Sequence, residues 1–298
     1  MSFSSDVKRA LLEYFDNNRH CDIAELAAVI NYECKIEGKS ILLDTENKDI
    51  AEKFAGMSCR LFGIKTEIYE ENKHFGIKIN ENDSLKILTA TGIMNDDEIK
   101  KHINSTVVSG VCCKRAYIRG AFICIGSIND PQKNYHLEFV TYEREQAEEL
   151  KNLINFFISD AKVIERKRQF VVYIKDGEQI VDMLNVMNAH KALMELENVR
   201  IVKDVRNNVN RIVNCETANL NKTVSASVRQ REAIEYIRSR VGLDELPPQL
   251  KEIAVIRLEN PDMSLKELGE MLEHPVGKSG VNHRLKKIIN IAEHLHNI

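Results

Sequence analysis

The strongest constraint on the fold is a repeated order of predicted elements in the first two thirds of the chain. Each unit, about 70 to 75 residues long, is predicted to contain a helix, a strand, a helix, a hairpin and a helix. The opening helices are Ile23–Tyr32 and Cys113–Ile125, and apolar residues lie all around them. Such helices are buried. The repetition therefore predicts an α+β fold of two duplicated halves related by a pseudo-twofold axis.

The remaining elements follow from the hydrophobic periodicity of both units. A helix before the repeats is predicted to be capped by Ser4 or Ser5. The first unit continues with strands at 40–45, 65–69 and 75–79 and helices at 48–61 and 84–91. The second unit continues with strands at 135–142, 161–165 and 169–174 and helices at 143–158 and 178–186.

Small residues in the middle of the two opening helices predict how these helices pack. Ala27 and Ala28 lie in the first helix, and Gly120 and Ala121 lie in the second. Glycine inside a helix costs about 1 kcal/mol relative to alanine. Close approach of another backbone is the natural compensation for that cost. We therefore expect the two helices to contact each other across the pseudo-axis.

The C-terminal segment is predicted to form a helix-turn-helix. Ser264 and Glu267 have the spacing of a capping box, which starts a helix over Ser264–Met271. Pro275 ends this helix, because proline lacks a backbone donor and disfavours a helical conformation in the residue before it. A second helix follows over Ser279–Leu295. It carries an apolar stripe at spacings of 4, 3, 4 and 3, formed by Val281, Leu285, Ile288, Ala292 and Leu295.

The polar face of the second helix is the candidate DNA-binding site. A recognition helix has this layout, since its N-terminal part enters the major groove while the preceding helix braces the backbone. We predict that base edges are read by Ser279, Asn282, His283 and Lys286 and that phosphates are held by Lys278, Arg284 and Lys287. From this segment alone, an ordinary amphipathic hairpin with a solvated basic face remains an alternative.

The segment between the repeats and the helix-turn-helix is rich in asparagine. Six of the 15 residues from Asn207 to Asn221 are Asn, which competes for backbone hydrogen bonds and predicts an interrupted helix. Two interpretations are open. Arg206 and Arg211 contact nucleic acid, or the stretch is a polar connector whose amides cap short helices. The connector, with some DNA contact, is favoured, and a helix over Val224–Val241 is predicted to follow it.

Charge and hydrophobicity restrict the class of protein. Residues 199–298 carry 16 Lys and Arg against 13 Asp and Glu, so their net charge is +3, while residues 1–198 carry −6. A basic C-terminal third suits a polyanionic partner. The sequence has no apolar run of about 18 residues, as a membrane span requires, and no signal-peptide pattern. A cytoplasmic location without a membrane partner is therefore predicted.

Cysteine usage predicts reduced thiols rather than disulfides or a metal site. The seven cysteines include no Cys-x-x-Cys pair. His20–Cys21 and Cys112–Cys113 are adjacent pairs that lack partners at ligand spacing. We therefore expect no metal and no cofactor, and the sequence identifies no particular small molecule as a ligand.

The opening helices resemble the LAGLIDADG motif of homing endonucleases. The matching sequences are LAAVINYEC at Leu26–Cys34 and IRGAFICIG at Ile118–Gly126. In those enzymes, the paired motif helices form the interface between repeats, and an acid near each C-terminal end holds the catalytic metal. The equivalent positions here are Glu33 and Ile125, and an isoleucine cannot ligate a hard cation. The resemblance therefore implies a duplicated domain that is not an enzyme.

A longer resemblance is to the WhiA family of Gram-positive bacterial regulators. It is carried by KRAYIRGAF, ERKRQFVVYIKDGEQIVDML, NAHKALMELENVR, NCETANLNKTV and KSGVNHRLKKI, which lie within residues 112–296. The resemblance implies an inactive LAGLIDADG-like domain joined by a linker to an all-α helix-turn-helix domain similar to sigma-factor region 4. It also implies double-stranded DNA as the partner, and a role in sporulation, or in cell division and chromosome segregation.

The predicted domain organisation has four segments. They are the first repeat with its N-terminal helix (1–110), the second repeat (111–190), a basic Asn-rich linker and helix (191–242) and the helix-turn-helix domain (243–298). The main hypothesis is a sequence-specific or nucleoid-associated DNA-binding regulator, with RNA polymerase or another regulator as a further partner. The alternatives are a protein-interaction or ligand-sensing platform tethered to DNA, and a weak metal-dependent nuclease.

Overall fold

The computed structural model describes residues 2–16 and 18–296. The chain folds into two compact units, residues 1–203 and 204–298. Two hydrophobic clusters lie in the first unit and a third lies in the second. No helix within the described ranges is both long and apolar enough to cross a lipid bilayer.

The first unit opens with α1, Phe3–Glu13, and its N-cap is Ser2 rather than Ser4 or Ser5. The first repeat then contains α2 (Arg19–Glu33), β1 (Cys34–Glu37), β2 (Ser40–Thr45), α3 (Lys48–Phe62), β3 (Tyr69–Glu71), β4 (His74–Ile79) and α4 (Glu81–Ala90). Its antiparallel sheet has the strand order β1-β2-β4-β3. A short hairpin of β5 (Met94–Asn95) and β6 (Glu98–Ile99) follows.

The second repeat has the same order of elements. It contains α5 (Val111–Ile125), β7 (Gly126–Ile128), β8 (Leu137–Thr141), α6 (Arg144–Ile154), β9 (Lys162–Arg166), β10 (Gln169–Ile174) and α7 (Gly177–Val186). Its antiparallel sheet has the strand order β7-β8-β10-β9. The correspondence between the two sheets confirms the predicted duplication and the α+β fold.

The sequence does not predict four of the strands, β1, β5, β6 and β7, and it misplaces another. β5 and β6 have only two residues each. β1 and β7 begin directly after α2 and α5 and span only four and three residues, too few for an alternating pattern to be recognised. The strand predicted at 65–69 is wrong, because β3 begins only at Tyr69. The two-residue turn Asn72–Lys73, with φ angles of 51° and 68°, brings Glu71 opposite His74.

The two motif helices, α2 and α5, pack closely against each other as expected from their small residues. Ala28 and Ala121 are fully buried. A Cβ atom placed on Gly120 would lie 2.7 Å from the carbonyl oxygen of Glu25 and 3.0 Å from the Cβ of Ala28. Only glycine fits this position without displacing the backbone of α2, so Gly120 sets the distance between the helices.

A buried ionic cluster crosses the same interface. Arg119 of α5 donates from Nε and Nη2 to Oε2 of Glu25 at 2.9 and 2.6 Å, and Nζ of Lys53 lies 2.9 Å from Oε1. Lys53 also donates to the carbonyl oxygens of Leu11 and Leu12 at 3.1 and 3.3 Å, near the end of α1. Burial lowers the pKa of Lys53, and the charge of Glu25 opposes that shift. Asp16 also lies 4.0 Å from Nη2 of Arg119. These contacts tie α1, α2, α3 and α5 together.

The starts of α2 and α5 bring together two pairs that lie far apart in the sequence. The prediction that His20–Cys21 and Cys112–Cys113 lack partners is wrong, because the nitrogen and sulfur atoms of all four residues lie within 4.8 Å of one another. The sequence does not indicate this contact, because the two pairs are about 90 residues apart in the chain. Both pairs lie in first helical turns, and the parallel packing of α2 and α5 places those turns side by side.

The second unit is entirely helical. It contains the C-terminal part of α8 (His190–Arg240), a single 3₁₀ turn (Leu243–Glu245), α9 (Pro248–Glu259), α10 (Leu265–Glu270) and α11 (Lys278–His296). The core is apolar, and its fully buried members are Ile234, Ile237, Ile253, Ala254, Leu268, Val281 and Ile288. The last turns of α8 therefore supply one wall of the core that supports α10 and α11.

The Asn-rich segment is not a break between helices, which corrects the prediction. α8 is one helix of 51 residues that includes all six of these asparagines. Residues 190–240 contain neither glycine nor proline. An asparagine in a helix costs at most about 0.7 kcal/mol, which weakens the helix without ending it. From Asp204 to Ala226 the side chains are exposed, so the amides are solvated along the helix.

Candidate nucleic-acid interface

The helix-turn-helix begins with the predicted capping box. Ser264 is the N-cap of α10, and its Oγ accepts a hydrogen bond from the backbone amide of Glu267 at 3.3 Å. In return, Oε2 of Glu267 accepts one from the amide of Ser264 at 2.8 Å. These hydrogen bonds hold the pKa of Glu267 below its ordinary value. The start of the bracing helix is therefore defined by its own sequence.

The turn between α10 and α11 depends on a glycine that the sequence analysis did not single out. The amide of Val276 donates to the carbonyl oxygen of Gly269 at 3.1 Å. A Cβ atom on Gly269 would lie only 2.1 Å from the carbonyl oxygen of Val276. The chain after Pro275 thus folds back directly over Gly269. A glycine inside a helix of six residues is the signal that could have indicated this contact.

α11 buries the stripe predicted for a recognition helix. Val281, Leu285, Ile288 and Ala292 are buried, and Leu295 is half-buried. They pack on Leu268 of α10 and on the apolar side of α9. The polar residues of α11 must therefore lie on the outward side of the helix.

Most of the predicted contact residues lie exposed on that outward side. Lys278, Ser279, His283, Lys286 and Lys287 are exposed, and Asn282 is half-buried. Among the residues that the structure describes, the three lysines form no ion pair with a carboxylate. Their charges are therefore available to an external anion. We call Lys278, Ser279, Asn282, His283, Lys286 and Lys287 the basic face of α11.

Arg284 differs from the other predicted phosphate contacts. Its side chain is only 16% exposed, and its Nη1 lies 4.0 Å from Oε2 of Glu252 on α9. Glu252 also accepts a hydrogen bond from the amide of Glu273 in the turn at 2.6 Å. Arg284 thus packs between α9 and α11, with its charge directed at an acid of the same unit, and it is not part of the basic face.

A second arginine, not singled out from the sequence, braces the unit from inside. Arg257 of α9 is 2% exposed. It donates from Nε to Oε1 of Gln230 on α8 at 2.9 Å and from Nη1 to the carbonyl oxygen of Met263 at 2.7 Å. Burial lowers the pKa of this guanidinium. Arg257 therefore fixes the loop before α10 to the end of α8.

Arg206 and Arg211 lie apart from the basic face, on the exposed part of α8. Five helical residues rotate a side chain by about 140° relative to its starting direction. The two arginines therefore point away from each other around α8, and they do not form a joint site.

The C-terminal ends of the motif helices hold lysines as well as the remaining acid. Burial raises the pKa of Glu33, while a hydrogen bond with Thr45 and the charge of Lys8 oppose that shift. Burial also lowers the pKa of Lys8 and of Lys101. Lys101 donates to the carbonyl oxygens of Cys34 and, at 3.3 Å, of Asn31. Near the ends of α2 and α5, Glu33 therefore has a lysine beside it, whereas the equivalent position in α5 is the apolar Ile125.

Comparison with known proteins decides the family. The family model described as "WhiA C-terminal HTH domain" matches residues 209–292, and the model "WhiA LAGLIDADG-like domain" matches residues 114–206. The chain is 49% identical over 313 aligned positions to "Probable cell division protein WhiA" of Alkaliphilus oremlandii, covering 99% of this chain and 98% of that protein. The chain belongs to the WhiA family.

Further members of the WhiA family support the assignment along the whole chain. A relative of the same description in Clostridium beijerinckii is 48% identical, with 99% of both proteins covered. The crystal structure of full-length DUF199/WhiA from Thermatoga maritima is similar with a TM-score of 0.61 and 26% identity, again over 99% of both chains. The resemblance stated from the sequence is confirmed, and so is the combination of a LAGLIDADG-like domain with a helix-turn-helix.

Proposed function

We propose that this WhiA-family protein is a DNA-binding regulator in which the helix-turn-helix reads double-stranded DNA. The observation that carries this proposal is the basic face of α11, where Lys278, Lys286 and Lys287 are exposed and unpaired within the described part of the chain. Ser279, Asn282 and His283 belong to the same face and supply groups that hydrogen-bond to base edges. Cations on such a face release counterions from phosphates.

The duplicated domain acts as a platform without catalytic activity in this proposal. Support comes from the ends of the motif helices, where Glu33 has no acidic counterpart at Ile125 and where Lys8 and Lys101 add positive charge. The boundaries 110/111, 190/191 and 242/243 remain our proposed functional division. A nucleoid-associated location in the cytoplasm follows from DNA binding.

The biological process is inferred from the relatives. They carry the description "Probable cell division protein WhiA", so we propose a role in cell division, which includes chromosome segregation, and in sporulation where the organism sporulates. A protein partner is the second candidate function, favoured by the apolar side chains of Val205, Val209 and Ile212, each more than half exposed on one side of α8. RNA polymerase or another regulator is the partner to test, by surface plasmon resonance with the full chain.

The DNA-binding proposal is tested by fluorescence anisotropy with a labelled promoter duplex over a salt series. The logarithm of the binding constant falls linearly with the logarithm of the salt concentration, and each lost phosphate contact makes this slope less steep by about 0.9. Near 0.15 M salt, one such contact corresponds to about a fivefold change in affinity. The double variant Lys286→Ala/Lys287→Ala is therefore expected to bind about 30-fold more weakly, with a slope reduced by about 2. An unchanged slope would contradict the assignment of phosphate contacts to α11.

A charge-matched control separates the basic face from net charge. Arg238 is paired with Glu235 at 2.7 Å and Lys251 is paired with Asp244, and both cations are exposed. The variant Arg238→Ala/Lys251→Ala lowers the net charge by the same amount and is expected to bind DNA within about twofold of the parent, because Arg238 lies on α8 and Lys251 on α9 rather than on α11.

A gel assay tests whether the duplicated domain lacks nuclease activity. The duplex is incubated with the full chain and Mg²⁺ and is then run on a denaturing gel. Intact DNA agrees with the proposal, whereas nicked DNA contradicts it.

A further inference from the structure

The first turns of the motif helices form a cluster of three thiols and one imidazole. His20 and Cys21 lie in the first turn of α2, and Cys112 and Cys113 lie in the first turn of α5. One ligand atom from each residue lies within 4.8 Å of the other three. Sγ of Cys21 is 3.3 Å from Nδ1 of His20. Each repeat thus contributes two adjacent donors to one point on the pseudo-axis.

The geometry of the cluster fits a tetrahedral ion. In a zinc site with Zn–S bonds of about 2.3 Å, neighbouring ligand atoms lie about 3.7 Å apart. The present separations of at most 4.8 Å therefore need a contraction of about 1 Å, which rotation of the side chains can supply. The two sulfurs of α5 already lie on the same side, since each is 3.5 Å from the point where a Cβ on Gly110 would stand.

The chemistry of the four donors selects the metal. Thiolates and imidazole are ligands for zinc, whereas Mg²⁺ and Ca²⁺ require oxygen ligands, and the set contains no carboxylate. Cys21 and Cys113 are buried, while His20 and Cys112 are exposed, so the cluster has a closed inner side and an open side through which an ion can enter.

We propose that His20, Cys21, Cys112 and Cys113 form a structural zinc site that joins the two repeats. Four protein ligands complete the coordination of the ion, as in structural rather than catalytic zinc sites. The ion fixes the N-terminal ends of α2 and α5 to each other at the opposite end of the interface from Glu33. This site is independent of the DNA contacts of α11.

The first experiment measures zinc directly. The full chain is purified under reducing conditions without chelators, and its zinc content is determined by elemental analysis. We expect about one zinc ion per chain, the stoichiometry of one four-ligand site. Replacing zinc with Co²⁺ is expected to give the intense visible absorption of tetrahedral cobalt together with sulfur-to-cobalt charge transfer. A chain that retains no zinc and gives only the weak spectrum of octahedral cobalt overturns the proposal.

Variants then assign the ligands. Cys112 is exposed, so Cys112→Ser is expected to fold, which circular dichroism checks, and to lower zinc affinity more than 100-fold in competition with a chromogenic chelator, since losing even an outer partner costs about 10- to 100-fold. His20→Asn is expected to weaken zinc binding as well. The matched control is Cys59→Ser, because Cys59 is also exposed but lies on α3 outside the cluster. Equal zinc affinity of Cys112→Ser and the control, or a disulfide among the three thiols of the native chain detected by mass, overturns the assignment.

Discussion

The packing of the motif helices can be tested with two glycine substitutions that differ only in their surroundings. Gly120 lies in α5 and Gly56 lies in α3, both within the first unit and both inside helices. Replacing either with alanine removes the conformational cost of glycine, worth about 1 kcal/mol. A Cβ on Gly56 meets no atom within 4 Å, whereas a Cβ on Gly120 would lie 2.7 Å from the carbonyl oxygen of Glu25. The difference between the two variants therefore isolates the packing term.

The magnitude follows from the close contact. A carbon and a carbonyl oxygen in ordinary contact are about 3.3 Å apart, so α2 and α5 must separate by roughly 0.6 Å to accept Gly120→Ala. Overpacking of this kind costs about 1 to 3 kcal/mol. We expect Gly56→Ala to raise the free energy of unfolding by up to about 1 kcal/mol. The free energy of unfolding of Gly120→Ala is expected to be about 1 to 3 kcal/mol lower than that of Gly56→Ala.

The assay uses the uneven distribution of tyrosine. The chain has no Trp, and seven of its eight Tyr lie in the first unit, with Tyr236 as the exception. Urea unfolding followed by tyrosine fluorescence therefore reports mainly on the duplicated domain. Equal free energies of unfolding for the two variants would refute the close approach of α2 and α5 at Gly120.

Two further predictions concern the turn and the remaining acid of the motif helices. Gly269→Ala is expected to cost about 1 to 3 kcal/mol through contact with the carbonyl oxygen of Val276. Hydrogen exchange checks this prediction, because the amides of α10 and α11 should exchange faster in the variant. DNA binding should weaken, while the urea unfolding curve followed by tyrosine fluorescence should not change. Because burial raises the pKa of Glu33 above 4.5, its ordinary value, the acid stabilises the fold fully only below pH 4.5, and this contribution is lost as the pH rises through the folded-state pKa. Glu33→Gln is therefore expected to be more stable than the parent at neutral pH and to lose that advantage below pH 4.5, which urea unfolding at both pH values measures. Equal stability at neutral pH contradicts the burial argument.

Sequence reasoning succeeded where the deciding interaction is local or repeated. The capping box of Ser264 and Glu267 spans three residues, and the buried stripe of α11 follows from helical spacing alone. The duplication was recognised because the same order of elements occurs twice. Gly120 was interpreted correctly, since the cost of a glycine inside a helix calls for a compensating contact.

The failures involve residues that meet only after folding. Arg284 resembles an exposed phosphate contact in sequence, but it lies beside Glu252, which belongs to another helix. The partners of His20 likewise come from a helix in the other repeat. The helix through the Asn-rich segment was missed for a different reason. Asn competes locally for backbone hydrogen bonds, but residues 190–240 contain no glycine or proline, and the helix continues through the asparagines.

The buried pair of Glu25 and Arg119 has a consequence for synthesis on the ribosome. These residues are 94 positions apart in the chain. At translation rates of about 5 to 20 residues per second, the guanidinium is made about 5 to 20 s after the carboxylate. During this interval, α2 has no α5 to cover its small-residue face, and Glu25 has no guanidinium partner. The nascent first half therefore depends on the second half, and on whatever shields it in the meantime, to reach the native fold.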